Sequence, residues 1–281
     1  MVQTYAEWAA PAGPGLQLHA RRWLPAGPPR AVVQLVHGVA EHAGRYGHVA
    51  EALCARGLAL QAFDLRSHGR SNGQPRAHLP DLEAVIADVR AQLDSARAFA
   101  AGRPVFLYGH SLGAFLALLT LLRHPRAADG FVSSATPLDA DRTVARPLLW
   151  LAALLGRLAP RLPLVPMALE AISRDPEVVF AYREDPLVHA IKMRARTCAV
   201  LNAALRRARP RLGELRLPLL VLHGSQDRIA PPSGSQRLYD AAGSTDKTLR
   251  VYPGLWHEVH NEPEQAQVLA DLGDWLVERS Q

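Results

Sequence analysis

The sequence predicts an α/β fold, a mainly parallel sheet flanked by helices with a helical insertion, and three observations predict it. Short apolar runs such as Ala31–Val36 and Leu58–Phe63 alternate with longer segments of helical spacing, the pattern of strands buried on both faces. One such run, Val105–Tyr108, passes through Gly109-His110-Ser111-Leu112-Gly113 directly into a second apolar run of helical length, Ala114–Leu122. From about Pro137 to Pro210 the alternation stops and Leu, Ala, Arg and Pro dominate. We therefore expect a core of residues 1–136 and 211–281, interrupted by a helical cap at 137–210.

Each element follows from local pattern. Leu16–Trp23 alternates imperfectly and precedes the turn Pro25-Ala-Gly-Pro-Pro29, which predicts an edge strand and a loop. Ala31–Val36 reads as a central strand ending in His37-Gly38-Val39-Ala40-Glu41-His42. Arg45–Arg56 has helical spacing and stops at Gly57; Leu58–Phe63 is the next buried strand, followed by the polar loop Asp64–Ser71. Asp81–Ala100 is an amphipathic helix leading into the Val105–Tyr108 strand. Further strands are expected at Phe131–Ser134, Leu217–Leu222 and Leu249–Tyr252, and a last helix from about Pro263 to Arg279.

Composition narrows the class of protein. A chain of 281 residues with 48% hydrophobic content can bury a large core. The net charge of +6 rests almost entirely on arginine, but no Lys/Arg run is interleaved with aromatics, so nucleic acid is not an expected partner. Two cysteines far apart, Cys54 and Cys198, fit a reduced compartment, and the N-terminal residues show neither a basic leader nor an apolar segment. No apolar run reaches membrane-spanning length. The expectation is a cytoplasmic protein that can still touch a bilayer from one side.

The chemistry is concentrated at strand ends. Gly-x-Ser-x-Gly between a strand and a helix is the sharp turn that lifts a serine hydroxyl above a sheet, whereas the same glycines without that context are only a turn. A serine needs a base to take its proton and a third group to orient the base. The Leu217–Leu222 strand runs into His223-Gly-Ser-Gln-Asp227, and the Leu249–Tyr252 strand into Pro253-Gly-Leu-Trp-His257-Glu-Val-His260. Ser111, Asp227 and His257 thus occur in the order this turn demands. Asp227 competes with a loop-capping role and His257 with His260; we favour His257, the first to follow the Pro-Gly turn. His257-Glu258-Val259-His260 lacks the His-Glu-x-x-His spacing of a zinc helix, so no metal and no cofactor are expected. The backbone N–H groups of Leu112 and Val39 are the candidate oxyanion donors.

These motifs together resemble α/β-hydrolases of the monoacylglycerol lipase and lysophospholipase branch. The resemblance rests on His37–Tyr46, Asp64–Ser71, Gly109–Gly113, Gly224–Asp227 and His257–Glu262, and spans almost the whole chain. It implies Ser111 as nucleophile, His257 as base, Asp227 as orienting acid, and a small lipid ester as substrate. It also implies that Arg45 and His260, with Glu41 close by, border the pocket for the alcohol part of that ester. Asp64, Arg66 and His68 look like loop braces, and Ser67 stands where the family more often has glycine. Lysophospholipase, thioesterase or short-chain esterase activity uses the same three residues, and a non-catalytic binding protein is the competing reading. In the cap, Pro147–Leu158 is apolar nearly all round with Arg146, Arg157 and Arg161 at its margins. It is either core beneath the lid or a lipid-facing patch.

Overall fold

The computed structural model describes residues 4–12, 15–166, 168–189 and 192–281. Two N-terminal strands come first: β1 (Thr4–Pro11) and β2 (Gln17–Leu24). The alternation of strands and helices then runs β3 (Val32–Val36), α1 (Gly47–Cys54), β4 (Ala59–Phe63), α2 (Leu82–Ala100), β5 (Val105–His110), α3 (Leu112–Arg123) and β6 (Gly130–Ser134). After β6 the chain leaves the sheet for α4 (Arg146–Leu158), β7 (Pro163–Val165), α5 (Pro176–Glu184), β8 (Met193–Arg194) and α6 (Ala195–Ala208). It returns as β9 (Leu219–Gly224), α7 (Ser233–Ala241), β10 (Lys247–Tyr252) and α8 (Gln265–Glu278).

The large sheet has the order β1-β2-β4-β3-β5-β6-β9-β10, antiparallel where β1 meets β2 and β2 meets β4, and parallel elsewhere. Each central strand alternates its side chains between two apolar layers, as a pleat with a period of two requires. Val32, Val36, Val105 and Leu107 face the layer built with α2 and α3. Val33, Leu35, Phe106 and Tyr108 face the layer built with α1 and α8. With the five pairings from β4 to β10 all parallel, the carboxyl ends of β3, β5, β6, β9 and β10 lie on one rim, and every loop that carries the candidate chemistry leaves from it.

The structure corrects the sequence reading in four places. The strand expected at Leu16–Trp23 is not an edge: β1 pairs along its whole length, from Thr4 opposite Leu24 to Pro11 opposite Gln17. The helix expected over 45–56 divides into a 3-10 turn, Ala43–Tyr46, capped by His42, and then α1. The segment 137–210 also contains a small antiparallel pair, β7 with β8, too short to leave a periodic signature. Helix α7 was not anticipated; it buries only Gly234, Ser235 and Leu238, so its sequence lacks an apolar stripe. Its Gly234 is needed for contact, because a Cβ there would come within 2.9 Å of the Thr136 carbonyl oxygen.

Candidate active site

Ser111 sits between β5 and α3 with φ of 52°, a left-handed conformation that costs a side-chain-bearing residue about 1–3 kcal/mol. Its neighbours make the turn possible. A Cβ on Gly113 would lie 2.0 Å from the Val36 carbonyl oxygen, and one on Gly109 2.5 Å from Ala114 Cα. The Ser111 N–H is tied to the Ser134 carbonyl at 2.8 Å, which fixes the turn against β6. Ser111 itself is only 8% exposed.

The loops after β9 and β10 reach that hydroxyl. His257 Nε2 lies 2.9 Å from Ser111 Oγ, and His257 Nδ1 lies 2.7 Å from Asp227 Oδ2. The carboxylate fixes the tautomer: Nδ1 donates to Asp227, leaving Nε2 to accept from the serine. Asp227 is itself held from all sides, its Oδ1 accepting from the Ile229 and Ala230 N–H groups at 2.8 and 2.9 Å. Sequence reasoning passed over one further contact, His223. Its Nε2 lies 3.0 Å from Asp227 Oδ2 and 2.9 Å from the Ala230 carbonyl, while Nδ1 accepts from the Ser235 hydroxyl at 2.5 Å. Its place at the head of the same strand-end motif was the available signal.

Electrostatics sharpen the roles. Burial works against charge on Asp227, but the facing His257, with hydrogen bonds from His223 and His257, outweighs it and holds the carboxyl far below its usual range. Burial likewise disfavours charge on His257, and the Asp227 carboxylate overrides it, so the imidazole pKa is raised. The result is a base primed to take a proton and a carboxylate that stays ionised.

The turn after β3 lies on the same rim. Gly38 donates its N–H to Glu41 Oε1 at 2.5 Å, and Ala40 has φ of 66°, so Val39 sits at the apex of a tight loop. Leu112 is the first residue of α3, where a backbone N–H has no acceptor within the helix. His37, whose Nε2 accepts from the Leu65 N–H at 2.9 Å, braces the loop from below.

Glu41 and Arg45 are built into this frame. Arg45 donates to Glu41 Oε2 at 2.7 Å and, through two nitrogens, to both Glu258 oxygens at 2.7 Å. Burial opposes the charge on Glu258, yet the paired guanidinium wins and holds its carboxyl at about 2. Burial raises Glu41 against the pull of the same arginine. One guanidinium therefore clasps the loop after β3 to the loop carrying His257. Tyr182 of α5 covers it, the ring centroid 4.4 Å from the guanidinium carbon and the hydroxyl 3.4 Å from the Val39 carbonyl. Tyr182 left no mark in the sequence, since a lone aromatic on a helix reads as core.

His260 is also buried, stacked 4.9 Å from the Tyr46 ring and edge-on to His110 at 4.8 Å, with both ring nitrogens lacking a partner among the described residues. Burial pushes its pKa down to about 3, so the ring is neutral. Asp64, by contrast, accepts from the Ala43 and Arg70 N–H groups, and Arg66 forks onto Asp88. Ser67 has φ of 60°, a conformation that explains why glycine suits this position. Its hydroxyl is hydrogen-bonded to the His78 carbonyl at 2.9 Å.

The insertion is fastened to the rim at several points. His42 Nε2 meets Asp185 at 2.8 Å, the Ile172 carbonyl accepts from the Glu258 N–H at 2.8 Å, and Arg174 pairs with Glu262 and Glu264. On its outer side α4 is bare: Trp150 is 76% and Leu158 74% exposed, with Leu148, Leu151 and Leu154 also exposed. Only Gly156 of this helix is buried, so these leucines are not core beneath a lid. No helix among the described residues is long and apolar enough to cross a membrane.

Comparisons with known proteins agree with this architecture. A family model described as serine aminopeptidase, S33, matches residues 27–264. The chain is similar to the monoacylglycerol lipase of Mycolicibacterium smegmatis, 43% identical over 255 residues that cover 91% of each chain. It is 34% identical to the monoglyceride lipase of Homo sapiens over 269 residues, 95% of this chain and 88% of that one. Among solved structures, the Paleococcus ferrophilus monoacylglycerol lipase superposes with a TM-score of 0.82 at 32% identity, covering 92% of this chain and 98% of that one.

Proposed function

Because the chain belongs to the serine aminopeptidase S33 family of α/β hydrolases, we propose that it is a serine ester hydrolase acting as a monoacylglycerol lipase. Ser111 attacks the ester carbonyl while His257 takes its proton, and the Val39 and Leu112 N–H groups face the oxyanion that develops. Collapse of this intermediate expels glycerol, to which His257 returns the proton, leaving an acyl group on Ser111. Water, deprotonated by the same imidazole, then releases the fatty acid. Asp227 holds the ring and balances its transient charge. The observation that carries this reading is the continuous hydrogen-bonded line from Asp227 through His257 to Ser111, at 2.7 and 2.9 Å.

Glu41, Arg45 and His260 border the alcohol side of the site in this reading. Arg45 and Glu41 act chiefly by holding the Val39 loop against the His257 loop, and the buried His260 ring backs that side through its packing on Tyr46 and His110. Residues 137–210 form the lid over the core of residues 1–136 and 211–281. The exposed leucines of α4 rest on a bilayer and admit a one-chain lipid from it.

The test is a series of monoacylglycerols of increasing chain length, assayed beside a lysophospholipid, a thioester and a short-chain ester. Hydrolysis fastest on monoacylglycerols, with Ser111→Ala reducing kcat by roughly four to six orders of magnitude, is the expected result. Full activity in Ser111→Ala, or no cleavage of any acyl ester, overturns it.

A further inference from the structure

On the flank of the molecule, outside the rim that carries Ser111, α4 and α6 span a groove of about 930 Å³ over the outer ends of α2 and α3. Its floor is apolar: Ile86, Leu119 and Leu122 are buried core residues, and Trp150, Leu154 and Val200 form the upper wall. Helices α4 and α6 run antiparallel, since Pro160 and Leu162 accept hydrogen bonds from Arg196 and Ala195, and Gly156 packs on Ala195 and Ala199. Arg157 and Arg196 therefore stand at one end of the groove and Arg206 and Arg207 at the other. From Arg196 to Arg207 the helix rises about 16 Å, the scale of an extended acyl chain.

Charge in the groove is unbalanced. Asp81 is occupied as the N-cap of α2, and Glu83 is paired with Arg123. Arg157, Arg206 and Arg207 line the groove without a hydrogen bond or ion pair among the described residues. Asn202, on the same wall, has a buried side-chain oxygen with no partner. Its amide can turn to donate instead. A trough with an apolar floor, one unmatched guanidinium at one end and two at the other suits an amphiphile with a long chain and a single anionic head, held at the end that carries two. We propose that this groove binds a free fatty-acid anion, its carboxylate on Arg206 and Arg207 and its chain along Leu122, Leu154 and Val200. The inference rests on the proposed hydrolysis only for the choice of fatty acid, the product released nearby, as occupant.

The experiment separates the groove from the acyl site. Wild-type enzyme is labelled on Ser111 with a long-chain alkyl fluorophosphonate, which fills the acyl site, and is titrated calorimetrically with laurate below its micelle concentration. One binding site on the labelled protein is expected. Arg206→Glu combined with Arg207→Glu should weaken it about tenfold, the scale of a lost charge-assisted contact. Dodecanol, of equal length and no charge, should bind the wild-type groove more weakly than laurate and should not respond to the double substitution. Unchanged melting temperature and short-chain esterase activity show that these exposed substitutions leave the fold intact. No heat on the labelled protein, or an unchanged Kd in the double variant, overturns the proposal. So does loss of binding to anionic vesicles alone, which assigns the cations to a membrane surface. If Ser111 fails to react with the fluorophosphonate, the hydrolase reading fails by itself, and the titration is run on the unlabelled protein, where the groove still requires one site that the double substitution weakens.

Discussion

At His257 two opposing effects meet, and their balance is measurable. Burial alone would make this imidazole a weaker base, whereas the Asp227 carboxylate at 2.7 Å makes it a stronger one, and the carboxylate prevails. Only the neutral ring can accept the Ser111 proton, so activity is lost as pH falls through the His257 pKa. That value is raised above the ordinary imidazole value of about 6.5. The kcat/KM profile should therefore have an acid limb centred above that value. A midpoint below it means that Asp227 does not govern the ring in solution.

At the scale of the element, the turn from β5 to α3 is the least tolerant part of the chain. Gly113 lies so close to β3 that any side chain collides with the Val36 carbonyl, and backbone cannot move aside as a side-chain end can. Gly113→Ala should lower the urea midpoint by the equivalent of at least about 3 kcal/mol or prevent folding, with activity lost in either case. A stable, active Gly113→Ala protein contradicts the packing described. Helix α4 makes the opposite case, since Leu148, Leu151 and Leu158 lie largely in solvent. Leu151→Asp should leave thermal stability and hydrolysis of a soluble short-chain ester within about twofold of wild type, as surface changes usually do. It should also abolish co-sedimentation with anionic vesicles. Retained vesicle binding removes α4 from the contact.

At the scale of the whole molecule, Arg45 joins segments 213 residues apart and lies beneath the insertion, so three parts of the fold meet at one guanidinium. The pairing is buried, which makes removing one partner far more costly than the pair is worth. Arg45→Met strands two facing carboxylates and should destabilise the protein by about 3–5 kcal/mol at neutral pH. The pH dependence should also steepen, because burial raises only Glu41 in the wild type, whereas both carboxyls are raised once the arginine is gone. In the wild type the Glu258 carboxyl is depressed to about 2, so its contribution is present above the unfolded value and lost as pH falls. In the variant both folded values lie above the unfolded ones, and acidification to about pH 5 should recover stability. Urea midpoints between pH 5 and 8 check it; parallel curves for the two proteins refute the clasp.

Much of this molecule follows from local sequence. Continuous apolar strands, helical spacing between them and a Gly-x-Ser-x-Gly turn depend only on neighbours within a few residues, and they determined an α/β fold with a parallel sheet. They also identified Ser111, Asp227 and His257 as residues that each follow a strand. Tertiary structure alone decided what these side chains touch. The pairing of β1 that turns β2 from an edge into an inner strand, the second histidine on Asp227, and the cover of Tyr182 over Arg45 are contacts between distant segments. Arg45 and Glu41 read as pocket residues in sequence, whereas in the fold their hydrogen bonds are spent on each other, on Glu258 and on the Gly38 loop. The physical reason is the same in each case. Backbone periodicity is written locally, but the partner of a buried charge is chosen by whichever segment the fold brings against it.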